Sequence, residues 1–234
     1  SKIKIKVLNI YHYFMESKYW QKYNLNKNKL IIKIANYNKK NKVNFLEGGH
    51  YNHIRDILAL LISTIDKKNK KLEVLDYGSN LLSLVNFVNK IDVNKINFNI
   101  YDPYYKSSKK ININARYKII DSEKKIFKKN YDLFHFGSSI QYENKFFDKI
   151  KVFKLNSVKY ILITHTPFSL KNDYLSSQTN HPNLIQNIYS LSKITSSFKK
   201  YNYKLIFKSR NNDKYIACKN KKFKTYSLNL LFKK

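Results

Sequence analysis

Leu72-Glu73-Val74-Leu75-Asp76-Tyr77-Gly78-Ser79 reads as a short apolar strand that ends on an acid and breaks at a glycine. Gly78 permits a tight turn and a close backbone approach. The segment Leu81 to Val88 is predicted to be helical, and its first N–H groups would face a polar ligand at the turn. Strand, glycine turn and helix in that order open a βαβ unit. The alternation continues downstream, with strands predicted over Ile96–Tyr101, Arg116–Ile120, Asp132–Phe136, Tyr160–Thr164 and Tyr203–Phe207. Phe146–Phe153 reads as a helix, and so does Leu184–Phe198, with Leu184, Ile188, Leu191 and Phe198 on one side. Tyr215–Cys218 and Tyr226–Phe232 compete to be the last strand. The expectation is an α/β fold with a mainly parallel twisted sheet, and right-handed crossovers place helices on both faces.

Upstream, Ile54, Ile57, Leu58, Leu61, Ile62 and Ile65 recur at helical spacing and form one apolar face. Gly48-Gly49 is the first strong breaker before it. Residues 1–45 read as an N-terminal extension or lid, and residues 46–234 as the main domain.

The chain of 234 residues has 43% hydrophobic residues, enough for a real core, which excludes a disordered class. Its formal net charge is +31, from 46 Lys and Arg against 15 Asp and Glu. That balance alone points to nucleic acid or an anionic surface. However, the abundant Lys, Asn, Ile, Tyr and Phe have AT-rich codons, the scarce Gly and Pro have GC-rich ones, and the lysines lie scattered in pairs. An AT-rich genome therefore accounts for the charge, and nucleic acid is not the expected partner. An RNA-directed protein stays a third reading, with a steep salt dependence as its mark. The single cysteine, Cys218, excludes an internal disulfide and a Cys-rich zinc site and fits a reducing, cytoplasmic compartment. The longest apolar stretch, Ile57–Ile65, is too short to span a bilayer.

In a doubly wound sheet the ligand sits beyond the carboxyl ends of the strands. The first predicted strand is followed by Asp76, Tyr77, Gly78, Ser79 and Asn80. After the second come Asp102 and Pro103, about 26 positions beyond Asp76, near the roughly 20-residue spacing of a ribose-binding acid. After the third come Asp121 and Ser122, placed to read an adenine edge. After the fourth come Gly137, Ser138, Ser139, Gln141 and Tyr142, suited to a cleft wall. After the fifth comes His165, a candidate general base. Tyr51 joins Ser139, Gln141, Tyr142 and His165 as a candidate for the substrate pocket, while His135, inside a strand, reads as packed. His50, His53 and Asp56 have the spacing of a metal face, but a polar helix start is the commoner meaning, and no metal is expected. Gly-x-Ser-x-Gly, Walker-type and His-Glu-x-x-His motifs are absent from the sequence.

The run Leu75-Asp76-Tyr77-Gly78-Ser79, the acid Asp102, and above all Phe136-Gly137-Ser138-Ser139-Ile140-Gln141-Tyr142 followed by Tyr160-Ile161-Leu162-Ile163-Thr164 resemble a family. It is that of uncharacterised S-adenosylmethionine (SAM)-dependent methyltransferases found among bacterial surface-polysaccharide genes. Tyr226–Phe232 is similar to that family's closing strand, and the resemblance covers roughly residues 46–234. It implies a Rossmann-like class I methyltransferase fold with a C-terminal antiparallel strand. SAM is the implied cofactor, and a small polar molecule such as a sugar or surface-glycan precursor the implied acceptor. Ser79, Asn80 and Leu82 stand where such loops carry glycine. The alternative reading is thus a non-catalytic Rossmann-like binding module with a degenerate cofactor site.

Overall fold

A computed structural model of the chain describes residues 53–65, 70–78, 95–102, 117–153, 157–178, 184–211 and 224–234. The predicted extension 1–45, the helix predicted over Leu81–Val88 and the strand candidate Tyr215–Cys218 lie outside the described residues.

Helix α1 (His53–Thr64) comes first, on the apolar spacing noted above. Strands β1 (Leu72–Tyr77), β2 (Ile96–Tyr101) and β3 (Tyr117–Ile120) follow, then the one-turn helix α2 (Glu123–Ile126) and β4 (Leu133–Gly137). A short 3-10 helix (Ile140–Tyr142) leads to α3 (Phe146–Val152) and the long strand β5 (Tyr160–Ser169). A hairpin of β6 (Tyr174–Ser177) and β7 (Ile185–Ser190) runs into α4 (Leu191–Lys199), and β8 (Lys204–Asn211) and β9 (Thr225–Lys233) close the order.

One nine-stranded sheet holds these strands. Its spine, β3-β2-β1-β4-β5, is parallel throughout. Central strands of this kind are covered on both faces, which is why β1 and β4 are near-continuous in buried residues rather than alternating. β9 lies antiparallel between β5 and β8. Residues Phe168 and Ser169, at the far end of β5, pair in parallel with Tyr189 and Ser190 of β7. β5 uses one edge for β9 along its whole length and the other for β4 only over its first half. β7 therefore continues the β4 side of β5 beyond the point where β4 stops.

Alternation along the strands sorts the core into two layers. Val74, Phe98, Leu133 and Leu162 pack under Leu58 and Ile62 of α1. Leu75, Phe134, Phe136, Ile161 and Ile163 face the other way, against Ile126, Phe146, Ile150, Ile194 and Phe198 of α2, α3 and α4. Helices thus cover both faces, as expected. In α4 the Ser190 side chain accepts the Lys193 N–H as an N-cap, and Phe198 packs on Phe232 of β9 with the rings tilted and 4.7 Å between their centroids.

The predicted helix Leu184–Phe198 is corrected: its first half is strand β7, and only Leu191–Lys199 is helical. Gln186 and Ser190 are buried alongside Ile188, so the inward positions of β7 alternate between polar and apolar residues and hide the strand period. Its partner β6, with the polar sequence Tyr-Leu-Ser-Ser, gives no strand signal at all. Of the two candidates for the last strand, Tyr226–Phe232 falls within β9.

Candidate functional site at the carboxyl edge of the sheet

Strand register lines up the candidates. Ile120, Tyr101, Tyr77, Phe136 and Ile163 are cross-strand partners in one row over β3, β2, β1, β4 and β5. The next residue on each strand is Asp121, Asp102, Gly78, Gly137 or Thr164, and Ser122, Ser138 and His165 come one further on. With neighbouring strands about 4.8 Å apart, this edge spans roughly 19 Å. The described residues from four strand ends and the middle of β5 therefore stand in one row, the rim of the site; the predicted end of the fifth strand at Thr164 is corrected, because pairing with β9 carries β5 on to Ser169 and leaves His165 inside it.

The centre of the rim is tightly built. Gly78 donates its N–H to the Tyr101 carbonyl at 2.7 Å, which ties the ends of β1 and β2 beside Asp102. Gly78 has φ +72°, and a Cβ there would stand 2.4 Å from Cβ of Ser139. Glycine is thus required twice, for the left-handed backbone and for the approach of the segment after β4. Ser138, at φ 53°, donates its N–H to the Thr164 carbonyl at 2.9 Å and joins β4 to β5. Its hydroxyl accepts from Nε2 of Gln141 at 2.9 Å. Gln141 is fully buried, and its Oε1 has no hydrogen-bond partner among the described residues. The same holds for the buried Ser139 Oγ. Tyr142 is half-buried, and its hydroxyl accepts from Nε2 of Gln178 at 2.5 Å.

One row beneath the rim lies a buried polar chain. Asp76 Oδ1 stands 2.8 Å from Nδ1 of His135, and Nε2 of His135 stands 2.9 Å from Oγ1 of Thr164. All three residues are fully buried. With Asp76 ionised, Nδ1–H donates to it, and a neutral imidazole accepts the Thr164 hydroxyl hydrogen. The carboxylate of Asp76 is thus directed along the sheet at β4. His135 is packed as expected from its place inside a strand, and it links β1, β4 and the middle of β5.

Tyr77 points to the opposite face. Its hydroxyl lies 2.9 Å from Oε1 of Glu123 and 3.0 Å from Oε2 of Glu143, one of which takes its hydrogen, and it accepts from Nζ of Lys149 at 3.0 Å. Lys149 also pairs with Glu143 at 2.7 Å and Glu123 at 2.8 Å. Burial, reinforced by Glu143 and Glu123, pushes the Tyr77 phenol far up, so it stays protonated. For Lys149 burial works downward, but Glu143 and Glu123 together more than reverse it and hold the ammonium above the ordinary 10.5. A raised pKa in the folded state means that the stabilisation is complete below the ordinary value and is lost as pH rises through the raised one. Lys149→Met should accordingly cost roughly 1–3 kcal/mol at pH 7, since it strands two part-buried carboxylates. The deficit relative to wild type should shrink above about pH 10.5, read by denaturant unfolding at both pH values.

The outer ends of the rim differ from its centre. Asp121 is exposed, and the hydrogen bond from Lys125 holds its carboxyl below the ordinary range. Ser122 is the N-cap residue of α2, with no side-chain capping bond. His165 is buried at φ 50°, in a bulge where the β5–β9 register shifts between Ile163 and Thr166. Its backbone N–H donates to Oδ1 of Asn229 at 3.0 Å. Asn229 is buried and is itself held by Ser209 and Asn211 of β8. Asn229 and Thr164 were not singled out by the sequence; only their burial as polar residues in the middle of strands marks them.

Ser79, Asn80, Pro103 and Tyr51 lie outside the described residues, as does His50. Among the described residues no group of three or more His, Cys, Asp or Glu stands together to hold a metal. Among the same residues no helix is long and apolar enough to cross a membrane.

No family model matches the chain, and no curated protein matches it. Solved structures do. Magnesium protoporphyrin IX methyltransferase from Synechocystis PCC 6803, with bound S-adenosylhomocysteine (SAH), is 12% identical over 82% of this chain and 88% of its own, at a TM-score of 0.52. A SAM-dependent methyltransferase from Clostridium acetobutylicum is 11% identical over 87% and 98%, at 0.49. The 1,6-didemethyltoxoflavin-N1-methyltransferase of Burkholderia thailandensis, solved with bound 1,6-didemethyltoxoflavin and SAH, is 8% identical over 78% and 79%, at 0.47. At such identities the likeness is one of fold. The fold is the mixed α/β, mainly parallel Rossmann-like sheet of class I methyltransferases, with an antiparallel strand near the C-terminal end of the order.

Proposed function

We propose that this chain is a SAM-dependent methyltransferase acting on a small polar acceptor, a sugar or surface-glycan precursor. The observation that carries the reading is this rim. It contains an acid at β2, a glycine at β1 that only glycine can fill, and a hydroxyl-rich segment at β4 pressed against that glycine. The residues fit the cofactor in chemistry. Asp102 would accept hydrogen bonds from two ribose hydroxyls. Gly78, backed by Ser79 and Asn80, would admit the methionine part, with Asp76 and Tyr77 holding the turn from beneath. Asp121, Ser122 and Pro103 would flank the adenine. The bound cofactor supplies an electrophilic methyl group on a sulfonium, and such transfer depends mainly on positioning and on exclusion of water. Gly137, Ser138 and Ser139 would line the meeting point of cofactor and acceptor. His165, one residue beyond Thr164, is the candidate to take the acceptor's proton. A cytoplasmic location accompanies this reading.

Calorimetric titration with SAM and SAH tests it, beside an Asp102→Ala variant. We expect binding by the wild type and a loss of roughly 100-fold or more in the variant, as two hydrogen bonds to a charged group are removed. Absence of SAH binding to the folded wild type would overturn the reading in favour of a non-catalytic binding module.

A further inference from the structure

β8 lies at a margin of the sheet. It pairs with β9 on one side, and among the described residues no strand pairs with its other side. An exposed edge strand ordinarily carries charged or polar side chains. β8 instead exposes Leu205 at 37%, Ile206 at 52% and Phe207 at 42%. Among the described residues this is the one run of three consecutive large apolar side chains that are all exposed. A bulge accounts for three open neighbours. Leu205 stands opposite Phe232 and Phe207 opposite Leu231, so Ile206 is the extra residue.

The run is set among cations. Lys204 and Lys208 bracket it, both exposed. Register places Lys204 directly opposite Lys233 of β9, with their Cβ atoms roughly 5 Å apart, and like charges so placed repel. Lys199 and Lys200, where α4 ends, are exposed just upstream. Acids are missing from this region. Along the chain, the last ion pair among the described residues is that of Lys193 with Asp173. Residues 193–234 hold thirteen Lys and Arg against one acid, Asp213, which lies outside the described residues. A preference for lysine codons multiplies cations along the whole chain, but it does not account for an exposed apolar run between them.

We propose that the edge of β8 is a docking surface for an anionic lipid bilayer. Leu205, Ile206 and Phe207 reach the boundary of headgroups and acyl chains, while Lys204, Lys208 and Lys233 lie among the anionic headgroups. Other occupants fit less well. RNA matches the lysines and can stack a base on Phe207, but it offers Leu205 and Ile206 nothing. A protein strand needs an unbroken row of backbone N–H and C=O groups, which the bulge at Ile206 interrupts. A second copy of this chain brings the same positive charge and is repelled. Lys204, Lys233, Tyr160 and Leu133 stand in one row over β8, β9, β5 and β4, at the amino ends of the parallel strands. Thr164 in the rim is roughly 13 Å further along β5, so the surface and the rim are separate sites. Docking here does not require methyl transfer.

Vesicle co-sedimentation of the full chain tests this, with vesicles of phosphatidylcholine alone and with vesicles in which about a third of the lipid is phosphatidylglycerol. The wild type should sediment with the anionic vesicles and stay in solution with the neutral ones. Lys204→Ala/Lys233→Ala should lower the partition coefficient by roughly 20–30-fold, at about fivefold for each cation. Ile206→Ser/Phe207→Ser leaves the charge unchanged and should lower it by about tenfold or more. Lys124→Ala/Lys128→Ala removes the same charge from exposed positions just after β3, at the other margin of the spine. It should lower the coefficient by less than about threefold, because screening separates that margin from β8. Every replaced side chain is exposed, so the fold survives each change. Failure to bind the anionic vesicles would overturn the proposal. So would equal losses in the two lysine pairs, or indifference to the serine pair, since either marks attraction by the overall charge alone. Binding of polyuridylate that needs Lys204 and Lys233 but not Ile206 and Phe207, with no binding to vesicles, would assign the surface to RNA instead.

Discussion

Gly78→Ala should abolish detectable SAH binding and lower the stability of the fold by roughly 2–5 kcal/mol, the sum of a left-handed backbone forced on a Cβ-bearing residue and an overpacked contact. The clash is specific. A methyl group at φ +72° would sit 2.4 Å from Cβ of Ser139, a short side chain fixed to the backbone of the segment leaving β4. Relief therefore requires moving backbone. Either the turn withdraws from the Tyr101 carbonyl, or Ser139 and its neighbours retreat toward the 3-10 helix. Both movements open the part of the rim assigned to the cofactor. Calorimetry with SAH and urea unfolding measure the two effects separately. Retention of wild-type affinity would show that the cofactor site lies elsewhere. Ser139→Gly in the same chain should restore part of the stability by vacating the space, though the left-handed backbone remains strained.

His135→Leu should cost about 3–5 kcal/mol, because it removes the His135 hydrogen bond from the buried carboxylate of Asp76. The neighbouring Thr164 hydroxyl loses its acceptor as well. The cost should be largely recovered in the double variant Asp76→Leu/His135→Leu, where no buried charge remains. Such non-additivity is the signature of a coupled pair. Additive losses in urea unfolding would mean that Asp76 draws its compensation from some other group. The double variant also separates structure from function. If the pair only ties β1 and β4 to the middle of β5, the repacked protein keeps its affinity for SAH.

Strand ends were legible because parallel, fully covered strands are short apolar runs broken by polar residues, and β2 matches its predicted bounds residue for residue. The rim was legible for the same reason, since a residue that follows such a strand must lie at the carboxyl edge. Register was not. Asp76 and His135 are 59 residues apart, and only the pairing of β1 with β4 brings them side by side. Nothing local in Leu75-Asp76-Tyr77 distinguishes an acid aimed at a ligand from one aimed at a neighbouring strand. The hairpin escaped notice for a different reason. Its polar residues disguise a strand period, and Leu184 and Ile188 fall at helical spacing with Leu191 and Phe198 of α4.

The place of β9 has a consequence for biosynthesis. The strand fills the slot between β5 and β8, both of which precede it in the chain. As the polypeptide leaves the ribosome, β1 through β5 can assemble their parallel spine while Phe198 and the far edge of β5 still await Phe232 and Leu230. During that interval the nascent protein offers an apolar, hydrogen-bond-hungry groove that any extended peptide can occupy. A chaperone that recognises unpaired strand edges is thus the factor whose depletion should most reduce the yield of folded protein, and a peptide copying residues 225–233 should compete for the vacant slot in a translation extract.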